Sequence, residues 1–195
     1  MSNKDLLDFS GLNKLEPKKG RLLISEPFID DDYFKRSVIL LCEHDEEGSF
    51  GFVLNNFLDQ NLFDLTKEGN HYTGKISLGG PVQTNNLFYI HTLGNKIENA
   101  REIVKGLFIG GDFDELKKLI ENGDANESNI RFFLGYSGWS ENQLNEEIKR
   151  KSWFVAKASF ESIMHTADDL WQETLKKMGG KFSMISNFPE NPALN

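Results

Sequence analysis

Gly135-Tyr136-Ser137-Gly138-Trp139 places a serine hydroxyl between two glycines, with an apolar run before it and helix signals after it. That is the setting of a hydrolase nucleophile elbow, in which glycines on both sides let a strained strand-to-helix turn expose the hydroxyl. The elbow needs a second glycine two residues beyond the serine, and Trp139 stands there. Downstream, His165 precedes Asp168, the reverse of the α/β-hydrolase order. The spacing therefore favours a structural turn over a nucleophile, with glycines admitting tight backbone geometry.

Cys42-Glu43-His44-Asp45 supplies four potential metal ligands in a row. Along a strand, neighbours point to opposite faces, so these four do not close on one ion, and a metal site would need His71 or His91 to converge on them. Cys42 follows Leu40-Leu41 and reads as a buried small apolar residue. His44, at a strand end before an acidic turn, could act as a base or a donor to a ligand, with a charge state tunable near neutrality. His91, inside an apolar strand, reads as a core histidine with satisfied nitrogens. Gly106-Leu107-Phe108-Ile109-Gly110-Gly111-Asp112 has glycine spacing near a helix start but lacks the Lys-Ser/Thr of a phosphate-binding loop, and its aspartate would repel phosphate. Gly79-Gly80-Pro81 reads as a sharp turn, although its amides could cradle an anion. The residues that could share one pocket are His44, Gly79, Gly80, Tyr136, Ser137 and Trp139. No catalytic set, metal site or cofactor motif is complete.

Composition narrows the function classes. The net charge of -8 opposes nucleic-acid backbones and anionic membrane surfaces. The one dense basic run, Lys149-Arg150-Lys151, closes a predicted helix and complements its dipole. A single cysteine forbids an internal disulfide and suits a reducing compartment. The start of the chain lacks the apolar run of a signal peptide and no stretch has the length of a membrane span, so a cytoplasmic protein is expected.

The elements that must position these residues are legible in outline. Residues 1–19 read as a flexible N-terminal arm and residues 20–195 as one domain, long enough for folding to hide roughly 70% of the unfolded chain's surface. Arg21 to Glu26, Ser37 to Glu43, Phe50 to Leu54, Lys75 to Leu78, Leu87 to Leu93 and Trp153 to Ala158 read as strands, and the second and third should form a hairpin through His44 to Ser49. Leu87 to Leu93 is apolar on both alternating faces, the mark of a covered central strand. Besides a short helical turn near Leu62, about three helices are expected. One spans 112–122, capped by Asp112 with Glu115 answering it. Another spans 140–150, capped by Ser140 with Gln143 answering and Trp139 packing on Leu144. The last runs from about Ala167 to Met178, with Thr166 as cap and Gly179-Gly180 as stop. Early strands and late helices indicate α+β. No two helices are joined by the short turn of a helix-turn-helix motif. The tail from Phe188 should be extended.

Several separated blocks carry a family resemblance. They are Gly20-Arg21-Leu22-Leu23-Ile24-Ser25-Glu26-Pro27, His44 with Gly48 and Gly51, Gly79-Gly80-Pro81-Val82 with Leu87 and His91, and Gly135 to Trp139 with Gln143-Leu144, Glu147 and Trp153. In that order, over about residues 20 to 180, the chain resembles the AlgH/YqgE family of bacterial proteins. The resemblance implies a compact α+β single domain with coiled, branching β-sheets, and it brings no catalytic residues. Members are sometimes labelled transcriptional regulators, which names no mechanism. The leading expectation is thus a non-catalytic binding or regulatory protein whose partner is a small molecule or a protein. An enzyme using His44 or His91 with Ser137 or Cys42 is the alternative. A DNA-binding regulator is disfavoured by charge.

Overall fold

The computed structural model describes residues 15–67, 71–164 and 166–189. The expected arm therefore falls outside the described residues up to position 14, as do His165 and the tail from position 190.

Nine strands form one branched sheet: β1 (Arg21–Ser25), β2 (Val38–His44), β3 (Gly48–Val53), β4 (Ile76–Leu78), β5 (Val82–His91), β6 (Arg101–Val104), β7 (Leu107–Ile109), β8 (Ile130–Ser140) and β9 (Trp153–Lys157). Their order is β6-β7-β5-β8-β3-β2-β1-β9, with β4 joining β8 off that path. Every pairing is antiparallel except β4 with β8. Six helices lie among the described residues: α1 (Leu62–Thr66), α2 (Phe113–Glu121), α3 (Gln143–Lys149), α4 (Phe160–Met164), α5 (Leu170–Met178) and α6 (Lys181–Ile185).

The branch is made by β8. Its first half pairs with β4 and β5 through Phe132, Phe133 and Leu134, and its second half pairs with β3 through Ser137 to Ser140. Gly135, at φ +68°, kinks the strand where the halves meet. Opposite it, the β5 register slips between Val82, which faces Tyr136, and Leu87, which faces Leu134. A Cβ on Gly135 would fall 2.6 Å from the Gly80 carbonyl oxygen, so both backbone sign and space demand glycine. The expected turn at 135–139 is thus a bent strand. Glycine there serves a kink without ending the ladder.

Alternation along the strands fills both faces. Leu22, Ile24, Leu40 and Phe52 enter the main core under α5 and α6, whereas Leu23, Ile39, Leu41 and Val53 enter a second cluster with Trp139, Trp153 and Leu144 of α3. β5 does the same as a covered inner strand: Phe88 and Ile90 pack on the main core, and Leu87 and Tyr89 on a third cluster with Leu116 and Ile120 of α2.

Local signals fared differently at each helix. Asp112 caps α2 by accepting the Glu115 amide at 2.9 Å, and the chain leaves the helix at Gly123, φ +78°, as expected. Asn61 and Asp64 form a reciprocal box at α1. At α3 the Gln143 side chain does accept from the Ser140 amide at 3.0 Å, but Asn142, in the left-handed region, is the cap, so the helix starts later than the Ser140 signal implies. Asp169 rather than Thr166 precedes α5. α4, α6 and the β6–β7 hairpin have too few residues to show a period. A two-residue Gly179-Gly180 link joins α5 to α6, which corrects the expectation that no helix pair shares a short turn. α6 nevertheless has only five residues and buries Phe182 and Ile185, which leaves little of it to enter a DNA groove. No helix among the described residues is long and apolar enough to cross a membrane.

Candidate functional site

A cleft of about 620 Å³ opens where the β2–β3 hairpin, the second half of β8 and the start of β5 meet. The hairpin turn is built by Asp45, whose carboxylate accepts the backbone amides of Glu47 at 2.9 Å and Gly48 at 3.2 Å. Asp45 and Glu47 of the turn and Glu43 near the end of β2 contribute three carboxylates to the lining. The floor is aromatic. Phe50 of β3, Phe88 of β5 and Tyr136 of β8 meet edge-to-face, with Tyr136 5.9 Å from Phe50 and 5.7 Å from Phe88 between ring centroids.

Gly138 leaves that floor open. It is exposed, its φ is not in the left-handed region, and a Cβ there would meet the Tyr136 ring edge at 3.2 Å and a Val82 methyl at 3.9 Å, with no backbone atom among its nearest neighbours. Backbone geometry makes no demand for glycine at this strand position, and any larger side chain would project into the cleft. Trp139 borders the site through its place in β8, while its side chain turns to the other face, packs with Trp153 and Leu144 in the second cluster and donates its indole N–H to Glu147 at 2.8 Å. The same carboxylate oxygen accepts from the Trp153 indole at 2.8 Å, and the other accepts from Gln143 at 3.0 Å. One acid of α3 thus orients both tryptophans.

The six sequence candidates separate in space. Tyr136 and Trp139 line the cleft. His44 faces an adjoining hollow beside Ser140 and Asn142, and its Nδ1 lies 2.7 Å from the Ser49 hydroxyl. Ser137 is buried and donates to the Gly79 carbonyl at 3.1 Å. Gly79 and Gly80 are buried behind the site: a Cβ on Gly80 would lie 2.0 Å from the Tyr136 carbonyl carbon. The Gly79 amide donates to the Leu134 carbonyl of β8 at 2.8 Å.

The groups considered for chemistry are committed elsewhere. Burial pushes the Cys42 thiol well above its usual range, against a thiolate nucleophile. His71 is exposed in a loop away from the cleft lining. His91 is fully buried; its Nδ1 accepts from the Leu93 amide at 3.2 Å and its Nε2 donates to the Gly110 carbonyl at 3.1 Å. That pattern fits one neutral tautomer, and burial, partly opposed by the Gly110 bond, holds the imidazole below its ordinary value of 6.5. The unfolded chain then takes up a proton before the folded one does. His91 stability is complete above 6.5 and is lost as pH falls through that value towards the folded one. Between pH 7 and 5.5 the urea midpoint of the native chain should fall more steeply than that of His91→Asn. Equal slopes would mean that His91 is not held neutral.

Two further features escaped the sequence. Phe50 and Phe88 were legible only as strand residues, since no local period tells that three strands will converge. Arg131, at the head of an apparently apolar strand, is fully buried at the branch. It donates to the carbonyls of Leu54 and Ile163, the latter at 2.6 Å, and to the Ser77 hydroxyl at 2.8 Å. Burial lowers its guanidinium to about 10, so it remains charged at neutral pH.

A family profile described as AlgH-like matches residues 22–183. The chain belongs to the AlgH-like family. A UPF0301 protein of Bacteroides thetaiotaomicron is 45% identical over 186 residues, 94% of each chain. One from Cytophaga hutchinsonii is 41% identical over 179 residues, 91% of this chain and 98% of the relative. Among solved structures, the crystal structure of a Corynebacterium diphtheriae protein superposes with TM-score 0.75 at 26% identity, over 89% of this chain and 94% of that one. The solution structure of AlgH from Pseudomonas aeruginosa gives 0.70 at 25%, over 91% and 98%. The AlgH-like fold accounts for the branched sheet, and no specific activity accompanies it.

Proposed function

We propose that this AlgH-like protein is a non-catalytic binding protein whose cleft takes an organic cation with an apolar stem, an alkylated ammonium or guanidinium group. One observation carries this reading: an aromatic floor, kept open by Gly138, lies under a rim of three carboxylates. Aromatic faces attract cations, and the attraction grows from about 0.5 to 2 kcal/mol as water is excluded. The carboxylates act as a field, because the described residues hold no group of three His, Cys, Asp or Glu side chains able to grip one metal ion. The same rim repels phosphate, which argues against nucleic acid at this surface.

Thermal unfolding with benzyltrimethylammonium tests the reading. The cation should raise the midpoint, benzenesulfonate should not, and Tyr136→Ala should weaken binding by about two- to thirty-fold, the worth of one cation–π contact. Glu43→Gln with Glu47→Gln should weaken it further and flatten its salt dependence. Equal shifts from the cation and the sulfonate would refute the assignment.

A further inference from the structure

A second cleft, of about 580 Å³, opens between β9, α4 and the α5–α6 pair. Its floor is largely aliphatic, formed by Leu22, Val155, Ala156 and Met178 with Phe182 at one side. Among the described residues its lining includes three lysines, Lys157, Lys177 and Lys181, and no aspartate or glutamate. Among the described residues the first cleft is lined the opposite way, by three carboxylates and neither Lys nor Arg. In a chain of net charge -8, this is a local reversal of sign.

Glu161 approaches one of these lysines, Lys177, at 3.7 Å, but both side chains are largely exposed, so water screens the pair. The hydroxyl hydrogens in the cleft are already used: Ser162 donates to the Ser159 carbonyl at 2.8 Å and Thr174 to the Leu170 carbonyl at 2.7 Å. Lys157 and Lys177 are exposed groups that can meet a charged ligand, long side chains of this kind laying their stems along apolar surface and keeping their ammonium groups in water. An apolar hollow of this size with a few polar groups at one edge has the form of a small-molecule site.

We propose that this cleft binds a single-tailed anionic amphiphile, an alkyl carboxylate whose chain lies on the Leu22–Phe182 floor and whose headgroup meets Lys157 and Lys177. Tail and headgroup are read separately, which the test exploits. Calorimetric titration of the full chain at low salt should show saturable binding of decanoate. Acetate, which lacks the tail, and octyl glucoside, which lacks the charge, should bind at least about tenfold more weakly. Lys157→Glu combined with Lys177→Glu, both exposed and so compatible with folding, should weaken decanoate about tenfold. Tyr136→Ala, in the first cleft, should leave decanoate binding unchanged, so the two sites succeed or fail independently. No saturable heat with decanoate would overturn the proposal. So would octyl glucoside binding as tightly as decanoate, or an undiminished affinity in the double lysine variant.

Discussion

Arg131→Met should lower stability by about 3 kcal/mol, or roughly 6 to 12 °C in midpoint for a chain of this size. Three elements meet on this one guanidinium: Leu54 at the end of β3, Ser77 in β4 and Ile163 in α4. Methionine matches the stem but donates nothing, so buried carbonyls lose the partner that offset their removal from water. The aromatic contacts would also go, since the guanidinium carbon sits 5.3 Å from the Phe133 centroid and 5.9 Å from that of Phe57. Opposing this is the desolvation of the arginine itself, which burial makes costly and which its lowered value near 10 reflects. Arg131→Lys separates the terms, because it keeps the charge but has no planar fork to span the acceptors. If hydrogen bonding decides, Lys is also destabilised; if Met proves as stable as the native chain, desolvation outweighs the bonds and the branch does not depend on them. Urea unfolding of both variants reads the answer.

Gly80→Ala should be about as damaging, near 3 kcal/mol, for a different reason. Its φ lies outside the left-handed region, so conformation is not at issue. The added methyl would sit 2.0 Å from the Tyr136 carbonyl carbon and 2.1 Å from the Ser137 amide nitrogen, against backbone that no rotamer change can move. Relief requires β8 to shift away, with loss of the Ser137 bond to the Gly79 carbonyl. Gly123→Ala is the control. That residue has φ +78° and nothing within 4 Å, so alanine there should cost only the left-handed backbone term of about 1 kcal/mol. Comparable losses at the two positions would show that the close approach of Gly80 to β8 is not a tight constraint.

These two residues mark the limit of what the sequence reveals. Strands with both faces apolar, the β2–β3 hairpin with its acidic turn and the Asp112 cap are local patterns, and they were legible. Gly135 to Trp139 looked like a turn because glycine density signals turns and strand kinks alike; only the pairing with β3, β4 and β5 decides between them. Gly79 and Gly80 read as a sharp turn whose amides could share a pocket, and in the structure both are buried, with Gly80 lying close against the β8 backbone. Of the candidate pocket, Tyr136 and Trp139 reach the cleft, accompanied by Phe50, Phe88 and Gly138, which come from separate strands. The bonds of Arg131 to Leu54, Ser77 and Ile163 are long-range contacts that leave no spacing to read, and the double tryptophan bond of Glu147, though only six and eight residues apart, joins a helix to two strands at no regular period.

The central claim is that the aromatic, acid-rimmed cleft is where an organic cation binds. Amide and indole resonances of the isotope-labelled chain, followed while benzyltrimethylammonium is titrated, locate binding residue by residue. The account predicts saturable shifts concentrated at the amides of Gly138, Tyr136 and Phe50, abolished by Gly138→Val, which fills the floor. Saturable shifts centred elsewhere, or shifts that survive Gly138→Val unchanged, would contradict it.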